Sequence, residues 1–148
     1  MSGLIVGIDL AWAGKRPDAF CIVERDAQGG SRVTGFEQSL GDAEFLDLMR
    51  SLAGHDGRLF AAMDAPVVCP NENGARPVDR ETQRLFRRQE AACHPCNLRL
   101  TPRPPRLANQ LSGEGFTVGW DPSERRVLCE VYPHPAIVRW GGLERSLK

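Results

Sequence analysis

Acidic side chains interrupt three otherwise apolar segments of the sequence. Asp9 lies near the start of the chain, Asp64 in the middle and Glu130 close to the end. An ionised carboxylate in an apolar strand is unfavourable unless another group offsets its charge. If the first two segments are parallel neighbours, Asp9 and Asp64 lie side by side at the carboxyl edge, where α/β proteins bind ligands.

These three carboxylates would repel each other in one cleft, and a hard divalent cation would relieve that repulsion. We therefore predict a site for Mg²⁺ or Mn²⁺ with Asp9, Asp64 and Glu130 as ligands. Paired metals about 3.5–4 Å apart stabilise the attacking and leaving oxygens in phosphoryl chemistry. In the alternative interpretation, Asp9 caps the following turn and each acid pairs separately with an arginine.

Arginines are concentrated in the middle of the chain. A helix is predicted over residues 79–90, and its arginines share one broad face. They are Arg80, Arg84, Arg87 and Arg88. Arg99, Arg103 and Arg106 follow in the stretch 98–106, whose proline-rich segment 101–106 we expect to be extended and polyproline-like. These arginines would hold a polyanionic substrate such as nucleic acid, or the helix face is simply solvated.

Two further groups could carry chemistry. Cys93-His94-Pro95-Cys96 resembles half of a zinc site, but no second close cysteine pair accompanies it. A redox motif would need a preceding strand, whereas a helix is predicted here, so ordinary buried or loop cysteines are favoured. His134, between two prolines, either binds metal or substrate or serves as a capping, hydrogen-bonding residue.

Hydrophobic periodicity predicts an α/β domain. Apolar or alternating runs predict strands at 4–10, 19–24, 31–38, 59–68 and 126–132, and residues 116–120 form a short strand or an ordered loop. Helices are predicted over 42–53, with Asp42 as a possible N-cap, over 79–90 with Asp79 as N-cap, over 107–111, and from 137. The first three strands should form an antiparallel meander, and the strand at 59–68 should run parallel to the first.

Composition sets limits on the function. The chain has 148 residues, 41% hydrophobic and 26% charged, which is enough for one domain with a real core. Nineteen basic and nineteen acidic side chains cancel, so binding of nucleic acid would need a local patch. We expect no membrane span and no signal peptide, and five unpatterned cysteines favour the cytoplasm.

Six motifs, in order, resemble a known domain family. They are Gly7–Gly14, Met63–Pro66, Pro70–Gly74, Arg76–Glu81, His94-Pro95 and Glu130–Ala136. The chain resembles the domain family of unknown function numbered 429, regarded as predicted nucleases of the ribonuclease H-like superfamily. The resemblance implies a single domain over residues 1–148 with a mixed five-stranded sheet, in which antiparallel strands precede parallel ones, and flanking helices.

The resemblance also implies divalent-metal-dependent hydrolysis of phosphodiester bonds, with Asp9 and Asp64 as core metal ligands. Glu81, Glu130 and His134 are the other polar positions that match, and Arg76, Arg80, Arg84 and Arg103 are the expected substrate-binding residues. Family members are usually longer, so we expect a fragment or short form that lacks a C-terminal helical segment.

Two other functions are compatible with the same sequence. An actin-like or sugar-kinase-like nucleotide-binding domain shares the sheet and the acid on the first strand, but it expects a glycine-rich phosphate turn. Here Gly14 is followed by Lys15-Arg16-Pro17. A ribonuclease H-like binding domain without catalytic activity is the non-enzymatic alternative.

Overall fold

The computed structural model describes residues 2–146, which form one mixed sheet and four α-helices. The strands are β1 Gly3–Asp9, β2 Asp18–Arg25, β3 Ser31–Ser39, β4 Arg58–Met63, β5 Thr117–Val118 and β6 Arg126–Glu130. The helices are α1 Gly41–Ala53, α2 Pro77–Phe86, α3 Arg103–Gly113 and α4 Pro133–Gly141, with a 3-10 turn at Arg87–Gln89. None of the helices described is long and apolar enough to cross a membrane.

The sheet has the strand order β3-β2-β1-β4-β6-β5. The β1, β2 and β3 strands pair antiparallel, whereas β4 is parallel to β1 and β6 is parallel to β4. This confirms the predicted α/β class with antiparallel strands before parallel ones, and it is compatible with a ribonuclease H-like fold. The sheet has six strands where the resemblance implied five, and the additional short strand β5 lies within residues 116–120, for which a short strand was one of the two predicted alternatives.

Strand alternation gives the sheet two chemically different faces. The face that we call the helix face carries the buried side chains of β1 and β4 and packs against α1 and α3. Its residues in these two strands are Leu4, Val6, Ile8, Leu59, Ala61 and Met63. The opposite side, called the second face, carries Ile5, Gly7, Asp9, Phe60 and Ala62. The candidate metal ligand Asp9 is therefore on the face opposite the main core.

The described chain divides into two compact units. The first comprises residues 2–68 and 103–130 and contains the whole sheet with α1 and α3. The second comprises residues 69–102 and 131–146 and contains α2 and α4. The expectation of a single domain over 1–148 stays a prediction.

Several predicted helix starts need correction. The α3 helix begins at Arg103, so the segment 101–106 is not extended as predicted. Proline is tolerated in the first turn of a helix, because the N–H groups there have no partner within the helix. Asp42 and Asp79 are not N-caps, since Leu40 precedes α1 and Arg76 precedes α2. Both acids instead lie in the first turn, where a negative charge also favours the helix.

Candidate functional site

The strand register brings Asp9 and Asp64 to the same edge of the sheet. Ile8 of β1 and Met63 of β4 are paired, and the backbone N–H of Asp64 donates to the Ile8 carbonyl at 2.8 Å. Asp9 directly follows Ile8 and Asp64 directly follows Met63, and neighbouring strands lie about 4.8 Å apart. The backbone therefore places these two acids next to each other, as predicted, at the carboxyl ends of two central parallel strands.

The indole of Trp12 links the chain after Asp9 to Asp64. Its Nε1–H donates to the backbone carbonyl of Asp64 at 3.1 Å. The turn that follows β1 is closed by the N–H of Gly14, which donates to the Ala11 carbonyl at 2.7 Å. Gly14 has φ +65°, a left-handed conformation that glycine adopts without strain. This turn therefore fixes the backbone on both sides of the candidate site.

A buried ion pair is hydrogen-bonded to the turn that follows β1. Asp18 is fully buried, and both of its carboxylate oxygens accept hydrogen bonds from the Arg103 guanidinium at 2.8 Å. Asp18 also accepts the N–H of Ala11 at 2.8 Å, while Arg103 donates to the Ala11 carbonyl at 2.6 Å. The peptide groups of Ala11 are thus held on both sides, two residues after Asp9.

Arg103 was predicted to bind substrate, and its contacts in the structure are with its own chain. Besides Asp18, it donates to Asp42 at 2.8 Å, and Arg106 binds the other oxygen of Asp42 at 2.6 Å. Burial opposes ionisation of Asp42, but these arginines outweigh it and hold the pKa of the carboxyl below its ordinary value. The hydrogen bonds that Arg103 donates to the Asp18 carboxylate raise the pKa of Arg103. A substrate contact by Arg103 stays a prediction.

The third acid, Glu130, is in register with Met63 of β4 and hence with Ile8 of β1. Paired residues of neighbouring strands point to the same face, so the register assigns Glu130 to the helix face at the end of β6. Asp9 belongs to the second face by alternation. A ligand role for Glu130 alongside the two aspartates stays a prediction.

Three arginines predicted to bind substrate lie in the second unit, and the first of them, Arg76, is held by its own chain. Arg76 is buried and its guanidinium contacts Asp79 at 2.8 Å. Asp79 also accepts the backbone N–H groups of Arg76 and Cys96 at 2.8 and 2.9 Å. Burial opposes ionisation of Asp79, yet these hydrogen bonds hold its pKa below its ordinary value. Arg76 is therefore part of the cap of α2, and its predicted substrate contact remains untested.

The exposed side of α2 carries the other predicted residues. Arg84 forms a surface ion pair with Glu81 at 2.9 Å, and Arg80 donates to the Ala75 carbonyl at 2.6 Å. All three side chains are exposed. Arg80 and Arg84 are thus placed where a polyanion could contact them, and the roles of Glu81 and of these arginines stay predictions.

His134 lies at the start of α4 in the second unit. Its Nδ1 is 2.6 Å from the Ser146 hydroxyl, and its ring meets Tyr132 edge to face with centroids 5.7 Å apart. This is the hydrogen-bonding role that was one of the two interpretations of the histidine. A metal or substrate contact by His134 remains a prediction.

The cysteines of the Cys93–Cys96 motif are buried free thiols. The Cys93 sulfur lies 2.6 Å from the Thr82 hydroxyl, and the Cys96 thiol donates to the His94 carbonyl at 3.2 Å. Burial, together with the negative charge of Asp79, raises the pKa of Cys96 to about 12. A thiol held in its protonated form is a poor metal ligand and nucleophile, which agrees with the favoured interpretation of ordinary buried cysteines.

The donor chemistry of the Asp9–Asp64 edge fits a hard cation only in part. Asp9 is exposed and Asp64 is half-buried. Carboxylates are the oxygen ligands that Mg²⁺ and Mn²⁺ prefer, and Mg²⁺ often uses one or two of them with water and substrate phosphate. Within residues 2–146, no group of three or more His, Cys, Asp or Glu side chains is placed to hold a metal ion. A site here would therefore consist of two protein carboxylates completed by other oxygens.

The chain matches, over residues 7–148, the family described as "Protein of unknown function (DUF429)". The chain belongs to this family. Because the match spans nearly the whole sequence, DUF429 includes both compact units and the Asp9, Asp64, Glu130 and His134 positions. No curated protein and no solved structure matches the chain.

Two residues of the DUF429 site region were missed by sequence reasoning. Trp12 lies within the Gly7–Gly14 motif without a predicted role of its own, and Asp18 was not among the predicted site residues. The sequence does carry a signal for Asp18, since it lies directly after Pro17 and directly before a predicted apolar strand, and an acid buried there needs a cationic partner. Its partner, Arg103, is 85 residues away in the chain, so the pairing itself could not be read from spacing.

Proposed function

We propose that this DUF429 protein is a divalent-metal-dependent nuclease of the ribonuclease H-like superfamily, in which Asp9 and Asp64 hold Mg²⁺ or Mn²⁺. The observation that carries the proposal is the hydrogen bond from the Asp64 N–H to the Ile8 carbonyl, because it sets the two acids side by side. Two carboxylates at the carboxyl edge of parallel strands are a suitable place for a cation and a phosphate.

In this proposal, residues of the chain bind the cation and hold the backbone around its ligands in place. Asp9 and Asp64 supply negative oxygens, and Trp12 fixes the Asp64 carbonyl and so the direction of the chain there. The Asp18–Arg103 pair holds Ala11 and limits movement of Asp9. A divalent cation held by Asp9 and Asp64 would supply Lewis acidity that stabilises charge on phosphoryl oxygens. Water provides the new oxygen, one P–O ester bond breaks, and the leaving oxygen takes a proton.

We further propose nucleic acid as the substrate and the cytoplasm as the location. The exposed Arg80 and Arg84 can neutralise phosphates, which dominate the affinity of proteins for nucleic acids. The five cysteines are all free thiols, as is usual in a reducing compartment.

Cleavage of labelled single-stranded and duplex DNA and RNA, with Mn²⁺ or with EDTA, tests the proposal. We expect cleavage only with the metal. Asp9→Asn and Asp64→Asn should each lower the rate about 100-fold or more, since loss of even an outer-shell partner costs 10- to 100-fold. Asp56→Asn is the matched control, because Asp56 is an exposed acid before the amino end of β4, at the opposite edge of the sheet.

Equal cleavage by wild type and Asp9→Asn would contradict the proposed ligand role. Mn²⁺ binding to the two aspartates without cleavage of any of the four substrates would instead favour the binding-domain alternative. ATP binding that requires Asp9, with no cleavage, would favour the actin-like or sugar-kinase-like alternative.

A further inference from the structure

Trp120 is a large aromatic side chain held in an exposed position in the first unit. It is 74% exposed, and its ring meets Phe60 edge to face with centroids 5.1 Å apart. Aromatic pairs of this geometry stabilise each other by more than their burial alone. The indole is therefore anchored on the sheet through Phe60 while most of its surface faces outward.

The backbone on both sides of Trp120 is also fixed. The N–H of Gly119 donates to the Leu128 carbonyl at 2.9 Å, which ties the preceding residue to β6. After Trp120, Arg58 donates to the carbonyls of Pro122 and Ser123 at 2.5 and 3.1 Å. An exposed aromatic on such a rigid support needs little ordering when a ligand binds, and this is the condition for preorganised recognition.

A cavity of about 640 Å³ opens beside this indole at the amino edge of the sheet. Ile5 and Phe60 line it together with Trp120, and so do Arg25 and Arg58. Its volume is in the range of small-molecule sites. Two acids also line the cavity: Asp26 turns its carboxylate back onto the Gln28 and Gly30 amides, and Glu124 is exposed. The cavity thus offers aromatic surface and guanidinium groups together.

The same sheet face connects the cavity to the proposed metal site. Ile5, Gly7 and Asp9 alternate along the second face of β1, and four residues of strand span about 13 Å. Gly7 is exposed, and a Cβ atom built on it would meet no described atom within 4 Å. Between the cavity and Asp9, β1 therefore has no side chain at the exposed Gly7 to obstruct a flexible ligand that lies along the strand.

We propose that this cavity binds a base of single-stranded nucleic acid, stacked on Trp120, while the strand continues along β1 toward Asp9. The choice of occupant rests on the proposed nuclease function. Base–aromatic stacking requires unpaired bases, because those of a duplex are stacked on one another. Arg25 and Arg58 complement the charge of the phosphates that accompany such a base. The protein is accordingly selective for single strands over duplexes.

Fluorescence anisotropy with a labelled oligothymidylate, its duplex with oligoadenylate, and thymidine monophosphate as competitor tests this proposal. All titrations are done in EDTA, so binding is measured without metal and without cleavage. We expect the single strand to bind more than tenfold tighter than the duplex or the mononucleotide. Trp120→Ala should weaken binding of the single strand about 5- to 150-fold, the range for one base–aromatic stack.

Two variants make the result specific. Trp120→Phe keeps an aromatic ring and should restore most of the affinity, whereas Trp140→Ala removes another exposed indole, 89% exposed on α4, and should change nothing. Unchanged binding by Trp120→Ala, equal weakening by Trp140→Ala, or a preference for the duplex or the mononucleotide would each overturn the proposal. Trp120-dependent binding without metal-dependent cleavage would leave this site standing and remove the nuclease function, so the two failures can be separated.

Discussion

Replacement of Arg103 by methionine removes the charge that neutralises a fully buried carboxylate. Among residues 2–146, Asp18 then keeps the hydrogen bonds from the Ala11 N–H and the Ser39 hydroxyl, at 2.8 and 3.2 Å. Breaking a buried pair by removing one partner typically costs about 3–5 kcal/mol, because the remaining charge is buried without compensation. At about 2–4 °C per kcal/mol for a chain of this size, we expect Tm to fall by about 6–20 °C.

Urea denaturation followed by far-UV circular dichroism measures this loss directly. Arg106→Met is the matched control, because Arg106 binds the same Asp42 from a side chain that is 56% exposed and should cost less than about 1 kcal/mol. The double variant Asp18→Leu/Arg103→Met should recover part of the lost stability, since no buried charge remains. A loss below about 1 kcal/mol for Arg103→Met would refute the view that this ion pair supports the turn after Asp9.

Three further predictions concern single groups. The pKa of Asp79 is lower in the folded protein than its ordinary value of 3.8, so its stabilising contribution is complete above about pH 5 and disappears as pH falls through the native pKa. The difference in unfolding free energy between wild type and Asp79→Asn, measured by urea denaturation, should therefore shrink from pH 7 to pH 3. A constant difference would contradict this prediction. Because the pKa of Cys96 is raised to about 12, its thiol should react with iodoacetamide at pH 8 far more slowly than the thiol of the half-buried Cys21. Peptide mass spectrometry measures both rates, and equal rates would show that the Cys96 thiol is not buried as described. Trp12→Phe removes one hydrogen bond to the Asp64 carbonyl and should cost about 0.5–1.5 kcal/mol in urea denaturation, with weaker Mn²⁺ binding by calorimetry; Trp140→Phe should affect neither.

The sheet was predictable to the extent that local patterns determine it. The apolar runs around Asp9 and Asp64 indicated buried strands, and the helix between them required a parallel crossover, which is the observed β1–β4 pairing. The two-residue β5 lies within residues 116–120, which the sequence left open between a short strand and an ordered loop, and the start of α3 at Arg103 was not predictable in this way. Proline-rich sequence is compatible with both an extended segment and a first helical turn, and tertiary contacts of Arg103 with Asp18 and Asp42 accompany the helix.

The parts of the candidate site that depend on where strands end were predictable, whereas those that depend on ion-pair partners were less so. The position of Asp64 beside Asp9 follows from two strands that end together. The face that Glu130 occupies depends on the register of β6, which a shift of one residue would reverse. The burial of Arg76 and Arg103 depends on acids at positions 79 and 18, and the sequence alone does not distinguish such arginines from exposed ones like Arg80.

The central claim is that Asp9 and Asp64 together bind a divalent cation. A crystal of the protein soaked in Mn²⁺ and measured at the manganese absorption edge tests it most directly. We predict an anomalous peak within coordinating distance of both carboxylates, and no such peak in crystals of Asp64→Asn treated in the same way. Saturating Mn²⁺ without a peak at these two residues, or with the ion bound only elsewhere, would contradict the claim.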